Sequence, residues 1–196
     1  MKTIFLVLAN LFLFSTVVLY FWNVAVAGVT PNPTTFLIRA IVATMNCFSY
    51  FTVVNKDYLL LSVALVSTFS LTVMFLYALV RGRLTKLRTV DVVCAIAALI
   101  IGVIWKSTGN AVLANLLLQA IMLLAFYPAI SGVLAGIAKE KTLPWVLATL
   151  CYVCMILAII TDWHAGAWYS LVHPVVSGIC GNGGLAFAIW WKNTNK

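Results

Sequence analysis

Four polar side chains lie deep inside long apolar stretches of this sequence and could contact a polar ligand. They are Asn46, Gln119, His173 and Asn182. An amide both donates and accepts hydrogen bonds, so it can recognise a molecule that carries hydroxyl or amide groups. A polar group in apolar surroundings must be hydrogen-bonded, and bonds between helices are the alternative role for each of the four. Asn46 lies deepest in its stretch and is the strongest candidate for ligand contact.

Two tyrosines add aromatic surface to this set. Tyr50 follows Asn46 by about one helical turn, and Tyr152 lies near the centre of another apolar stretch. Either ring could stack on a ring of a bound molecule, or could instead fill space in a core. The sequence leaves both roles open.

Three prolines could act as hinges in helices. Pro128, Pro144 and Pro174 each remove a backbone hydrogen bond and thereby weaken a helix locally. The alternative is a static kink or, for Pro144, an ordinary first turn of a helix.

Motifs of covalent and metal chemistry are weak. Cys151 and Cys154 have CxxC spacing, but no second Cys or His pair accompanies them, so packed thiols are expected. Asp162 and His164 offer only two metal ligands. The sequence has no paired carboxylates, nucleophile elbow or phosphate loop. We therefore predict that the protein is not an enzyme and has no cofactor and no metal site.

Composition predicts that the helices holding these residues lie in lipid. Hydrophobic residues make up 64% of the 196, charged residues 8%, and the mean hydropathy is +1.11. A soluble chain of this size could not keep so much apolar surface from water. Most of the apolar stretches reach the roughly 20 residues that a membrane-spanning helix needs. The seven stretches are Ile4–Ala27, Thr35–Val54, Tyr58–Val80, Val90–Trp105, Ala111–Ala138, Leu143–Ile160 and Gly166–Trp191.

The first stretch also resembles a secretory signal, because Lys2 precedes an apolar run that ends in small residues. An internal repeat argues against cleavage. Leu8–Leu13 (LANLFL) recurs as Leu113–Leu118 (LANLLL), and at the same offset of 105 residues Asp57 corresponds to Asp162. We therefore expect the first stretch to be a helix of the folded protein.

The repeat predicts an all-α integral membrane fold of seven transmembrane helices. Two units of three helices can be parallel only if one extra helix joins them, because three crossings leave the chain on the wrong side of the membrane. The predicted organisation is therefore 3+1+3. Residues 1–86 form the first three-helix repeat, 87–108 the linker helix and 109–196 the second repeat.

Charge placement predicts the orientation. Nine cations fall on the side reached after odd-numbered spans, and three fall on the other side. By the positive-inside rule the N-terminus is outside and the C-terminus is cytoplasmic, in the plasma or inner membrane. The basic run at residues 81–88 is thus interpreted as an orientation signal, and no nucleic-acid partner is expected. The nine are Arg39, Arg81, Arg83, Lys86, Arg88, Lys139, Lys141, Lys192 and Lys196.

Three segments resemble the SWEET and PQ-loop transporter superfamily. Tyr127-Pro128-Ala129-Ile130 has its proline late in a helix, and residues 139–149 (KEKTLPWVLAT) combine a basic turn with a proline and an aromatic residue that open the next helix. Pro174 with Gly178 is similar to the Pro-Asn-x-x-Gly stretch of the family's third repeat helix. The resemblance implies a 3+1+3 fold and transport of small solutes.

Two functions follow as hypotheses. The first is a facilitator for a small polar solute such as a sugar, a vitamin precursor or an amino acid, since none of the four acidic residues lies at the middle of a span. His173 is the one residue that could contradict a facilitator by coupling transport to protons. The second is a non-transporting receptor or assembly protein of the same fold. Arg39 would serve either function, or would reach lipid headgroups. The expected partners are a small-molecule substrate and the lipid bilayer, and a homo-oligomer is left open.

Overall fold

The computed structural model describes residues 1–26, 33–81, 89–136, 139–164 and 166–195. Within these ranges the protein consists of helices and the turns that join them. Within these ranges seven helices are present. They are α1 (Lys2–Val26), α2 (Pro33–Val53), α3 (Tyr58–Arg81), α4 (Thr89–Thr108), α5 (Ala111–Leu134), α6 (Thr142–Thr161) and α7 (Trp168–Thr194).

Six of the seven helices are long and apolar enough to cross a membrane, which indicates an integral membrane protein. The other is α4, whose apolar part, Val92–Thr108, is shorter. This agrees with the sequence, where the same stretch is the shortest of the seven. Four of the nine predicted cytoplasmic cations (Arg83, Lys86, Arg88 and Lys196) lie outside the described residues, as does the predicted boundary between residues 86 and 87.

Six helices surround a central space. α1 packs against α3 and α6, α2 packs against α3 and α5, and α7 packs against α5 and α6. α4 lies on the outside, against α2 and α5. α1 turns a narrow stripe of Leu6, Ala9 and Leu13 towards its neighbours, while most of its other side chains are exposed or partly exposed. This pattern is expected for a helix that has lipid on its outer face.

The centre of α7 departs from regular α-helix. Residues Pro174–Gly183 form a π-helical segment, which widens the helix where Pro174 removes a backbone hydrogen bond. Gly178 and Gly181 lie in this segment. A Cβ atom built on Gly178 would overlap the side chain of Tyr152, and one on Gly181 would overlap the ring of Phe126. The two glycines therefore allow α7 to pack closely against α6 and α5.

The turns that begin α3 and α5 are set by capping side chains. Oδ1 of Asp57 accepts hydrogen bonds from the backbone N–H groups of Leu59 and Leu60, at 3.0 Å and 3.1 Å. Oδ1 of Asn110 accepts from the N–H group of Leu113 at 3.0 Å. Such caps satisfy N–H groups that have no partner inside the helix.

Candidate functional site

Polar side chains of α2, α5 and α7 meet in the interior, and we call this group the polar cluster. Every member is at most 2% exposed. Polar groups this deeply buried in an apolar protein require hydrogen-bond partners, which the three helices provide for one another. The members are Asn46 and Ser49 of α2, Asn115 and Gln119 of α5, and His173 and Ser177 of α7.

Asn46 joins the three helices of the cluster. Its Oδ1 atom accepts hydrogen bonds from Nδ2 of Asn115, at 3.0 Å, and from Nε2 of Gln119. Its Nδ2 atom lies 3.3 Å from Nδ1 of His173. One amide of α2 therefore contacts two side chains of α5 and one of α7.

Gln119 and Asn115 extend the network. Oε1 of Gln119 accepts from the hydroxyl of Ser177 at 2.8 Å and lies 3.3 Å from Nδ1 of His173. Nδ2 of Asn115 also donates to Oγ of Ser49 at 3.0 Å. Asn115 and Gln119 are four residues apart and so share one face of α5, which is why both reach the same partners.

Two polar atoms of the cluster lack a hydrogen-bond partner within the described part of the chain. They are Oδ1 of Asn115 and Nε2 of His173. A buried polar atom without a partner costs about 1–3 kcal/mol, so a molecule that bonds to either atom would be favoured. These two atoms are therefore candidates for hydrogen bonds to a polar ligand.

A cavity of about 100 Å³ lies next to the cluster, between α1, α2, α3, α5, α6 and α7. Ser177 belongs to both the cluster and the cavity wall, so it connects the two. The polar and charged side chains of the wall are Thr16, Tyr20, Arg39, Ser67, Ser70, Tyr152, Ser177 and Asn182.

The structure places all six residues that the sequence proposed for ligand contact in this region. Asn46, Gln119 and His173 belong to the cluster, and the ring centroids of Tyr50 and Tyr152 lie 5.0 Å and 5.5 Å from that of His173. The remaining residue, Asn182, lines the cavity with Tyr152, and its Nδ2 atom donates to the carbonyl of Ser177 at 2.8 Å. The hydroxyl of Tyr50 donates to the carbonyl of Ser170 at 3.0 Å.

Sequence reasoning missed three members of the cluster. Asn115 was considered only as a marker of the repeat, although its spacing of four residues from Gln119 places both on one helix face. Ser49 follows Asn46 by three residues and carries the same signal. Ser177 has no comparable signal, because serine is common in helices that cross membranes.

The three predicted hinge prolines occupy different positions. Pro128 lies inside α5, Pro144 is the third residue of α6 and lines the cavity, and Pro174 begins the π-helical segment of α7. The N–H groups of the first helical turn have no partner within the helix, so Pro144 removes no helical hydrogen bond. Pro128 and Pro174 are interior, and their role as hinges stays a prediction.

One end of the bundle is joined by an ion triad of Lys2, Asp57 and Asp162. Nζ of Lys2 lies 2.6 Å from Oδ2 of Asp57 and 2.5 Å from Oδ2 of Asp162. The contact with Lys2 lowers the pKa of Asp162. At Asp57 burial favours a higher pKa, but the bonds from Lys2 and from two backbone N–H groups outweigh burial, and the pKa is lowered.

Comparison with known proteins gives no indication of the function of this chain. Neither a protein-family model, nor a curated protein, nor a solved structure matches this sequence.

Proposed function

We propose that this protein is a membrane facilitator, which moves a small polar solute across the bilayer by alternating access between two three-helix halves. The observation that carries the proposal is the cavity at the centre of the helices, whose wall includes Ser177 of the polar cluster. Carriers built from repeats bind their solute near the membrane midplane, between the repeats. Ser177 connects this cavity to the polar cluster, in which two buried atoms, on Asn115 and His173, lack a hydrogen-bond partner among the described residues.

The packing order supports the proposed 3+1+3 organisation. In the first half α3 packs against both α1 and α2, and in the second half α7 packs against both α5 and α6. The halves meet where α2 packs against α5 and where α6 packs against α1. Exchanging α1, α2 and α3 for α5, α6 and α7 leaves this order unchanged, as expected for parallel repeats about an axis along the membrane normal.

The proposal includes an orientation, with the N-terminus outside and the C-terminus in the cytoplasm of the plasma or inner membrane. The excess of cations on the side reached after odd-numbered helices supports it. In this orientation the ion triad faces the outside. Protease access to N-terminal and C-terminal tags in intact cells and in inverted vesicles tests the orientation, and cleavage of both tags from the same side would contradict it.

Uptake into proteoliposomes tests the facilitator itself. We expect at least one labelled sugar, amino acid or vitamin precursor to exchange across the membrane and Asn46→Leu to lose the exchange. The substitution removes the acceptor shared by Asn115 and Gln119, so each of these buried amides loses one hydrogen bond. Asn10→Leu is the matched control, because Asn10 bonds to Ser62 outside the cluster.

Two outcomes would contradict different parts of the proposal. Exchange that is equally fast in Asn46→Leu and the wild type would separate transport from the polar cluster. Absence of exchange for the whole panel, together with specific capture of a protein partner, would favour the non-transporting receptor or assembly protein instead.

A further inference from the structure

The cavity wall holds one cation, and it comes from the second turn of α2. Among the described lining residues Arg39 is the only charged one, and its side chain is half-buried. A charge inside a membrane-spanning helix is costly unless it faces a polar space or has a partner. In this protein Arg39 faces the cavity between the two halves.

Aromatic rings hold the guanidinium of Arg39 in place. Its Cζ atom lies 4.7 Å from the centroid of the Phe126 ring and 6.0 Å from that of Trp145. Tyr20 packs edge-on against Trp145, with the ring centroids 6.0 Å apart. The rings of Phe126 and Trp145 contact the guanidinium through cation–π interactions, and a ring face provides no conventional hydrogen-bond acceptor. Within the described residues the guanidinium forms no hydrogen bond or ion pair, so its N–H donors are available to a ligand.

Glu140 lies in the turn before α6, but it does not neutralise Arg39 by direct contact. Its carboxylate accepts hydrogen bonds from Nε1 of Trp145 at 3.3 Å and from the hydroxyl of Tyr20 at 3.5 Å. It makes no ion pair with Arg39 within 4.0 Å. Burial raises the pKa of Glu140, although Arg39 and the two hydrogen bonds oppose this change.

The size and walls of the cavity limit the kind of ligand that could bind beside Arg39. One water molecule needs roughly 10–15 Å³ on the same measure, so a cavity of about 100 Å³ accepts a solute of several non-hydrogen atoms. Much of the wall is apolar, and Leu13, Val17, Leu71 and Met74 are among its residues. A solute with an apolar body fits this wall better than a sugar does.

We propose that the cavity binds a small organic monocarboxylate, with its carboxylate on the guanidinium of Arg39 and its apolar body against the cavity wall. The planar fork of a guanidinium matches the two oxygens of a carboxylate. Arg39 is the one charged side chain among the described residues of the wall, and its charge balances one negative charge. This inference rests on the proposed function and narrows its solute to monocarboxylates with an apolar body.

Binding of matched acid and amide pairs tests the inference without measuring transport. The probes are 3-methylbutanoate and benzoate, compared with 3-methylbutanamide and benzamide, at pH 7 on protein in phosphatidylcholine nanodiscs. A charged hydrogen bond changes affinity by about 10- to 100-fold, so we expect each carboxylate to bind more tightly than its amide by this factor. Arg39→Gln should abolish the difference, Arg39→Lys should retain part of it, and Lys106→Gln should leave it unchanged. Lys106 is an exposed cation at the end of α4, outside the cavity.

Several results would overturn the inference. They are equal affinity for acid and amide in the wild type, no binding of either carboxylate, or the same difference in Arg39→Gln, whose folding is checked by gel filtration. Nanodiscs with added phosphatidylglycerol test whether Arg39 binds a lipid phosphate in place of the carboxylate of a solute. Loss of carboxylate binding in these nanodiscs would assign Arg39 to a lipid phosphate and overturn the solute assignment. Exchange of a neutral solute that persists in Arg39→Gln would refute only the carboxylate, while the facilitator would stand.

Discussion

Asp57 and Asp162 bind the same ammonium group, that of Lys2, although they are 105 residues apart in the chain. This is also the offset of the internal repeat, so the two aspartates hold the same place in its two copies. Lys2 begins α1, Asp57 precedes α3 and Asp162 follows α6. The triad therefore connects the starts of α1 and α3 and the end of α6 at one end of the bundle.

The ion triad predicts a pH-dependent contribution to stability. A carboxyl group with a lowered native pKa stabilises the fold above its unfolded pKa, and this stability is lost as the pH falls through the native value. The pKa of Asp57 lies below the ordinary 3.8. Asp57→Asn keeps a helix cap but loses the charge, so we expect it to destabilise the fold by roughly 0.2–1 kcal/mol at pH 7. The difference in the midpoint of thermal unfolding between Asp57→Asn and the wild type should become smaller below pH 3.8.

Lys106→Gln is the control for this prediction, because it removes an exposed cation that takes no part in the triad. Equal stability of Asp57→Asn and the wild type at pH 7, or a gap that is unchanged at pH 3, would show that the triad contributes no stability through its charges.

Because the π-helical segment is closely packed, we expect one added methyl group to lower the stability of the fold substantially. The added Cβ of Gly178→Ala would overlap Cβ and Cγ of Tyr152, whereas that of Gly183→Ala would meet only Thr149, at 3.5 Å. Overpacking of a dense core typically costs about 1–3 kcal/mol. We expect Gly178→Ala to lower the midpoint of thermal unfolding by several degrees and Gly183→Ala to leave it nearly unchanged. The same effect for both would indicate a loss of helix flexibility in place of a steric overlap.

Exchange should be independent of an imposed proton gradient. Asp57, Glu140 and Asp162 lie in turns and Asp91 lies in the first turn of α4, whereas proton-driven carriers use acids or histidines inside the membrane. Solute should therefore equilibrate, without accumulating, when the proteoliposomes carry a pH difference. Accumulation that follows the gradient in the wild type and disappears in His173→Asn would identify a proton-coupled carrier and contradict a facilitator.

The hinge prolines predict different kinetic effects at two sites. Pro174→Ala restores a backbone donor inside α7, which should stiffen the helix and slow exchange severalfold with little change in solute affinity. Pro144→Ala restores a donor in the first turn of α6, where no helical acceptor exists, and should leave the rate nearly unchanged. Counterflow in proteoliposomes measures both rates. Equal rates for Pro174→Ala and the wild type would mean that Pro174 is a static kink.

The helices were the predictable part of this structure. The sequence predicted Tyr58–Val80 as one stretch, and α3 spans Tyr58–Arg81; the fifth stretch and α5 both begin at Ala111. Hydropathy and turn residues are local properties, so they mark a helix without information on its neighbours. The same reasoning identified Asn46 and Gln119 as candidates for ligand contact or for bonds between helices, without naming their partners.

Which partner each residue has was decided by the tertiary structure. Asn46 and His173 are 127 residues apart, and their contact depends on how α2 and α7 are rotated about their axes. Rotation is set by the packing of small residues such as Gly178 against Tyr152, which no single stretch of sequence reveals. For the same reason the sequence could not show that the side chain of Arg39 lines the cavity.

By itself the sequence determined the all-helical class, the approximate ends of the helices and the polar residues inside them, because each depends on local composition. Only the tertiary structure brought Asn46, Asn115, Gln119 and His173 into one cluster and turned Arg39 towards the cavity. A side chain in lipid must find a polar partner, but the partner is chosen by the packing of whole helices.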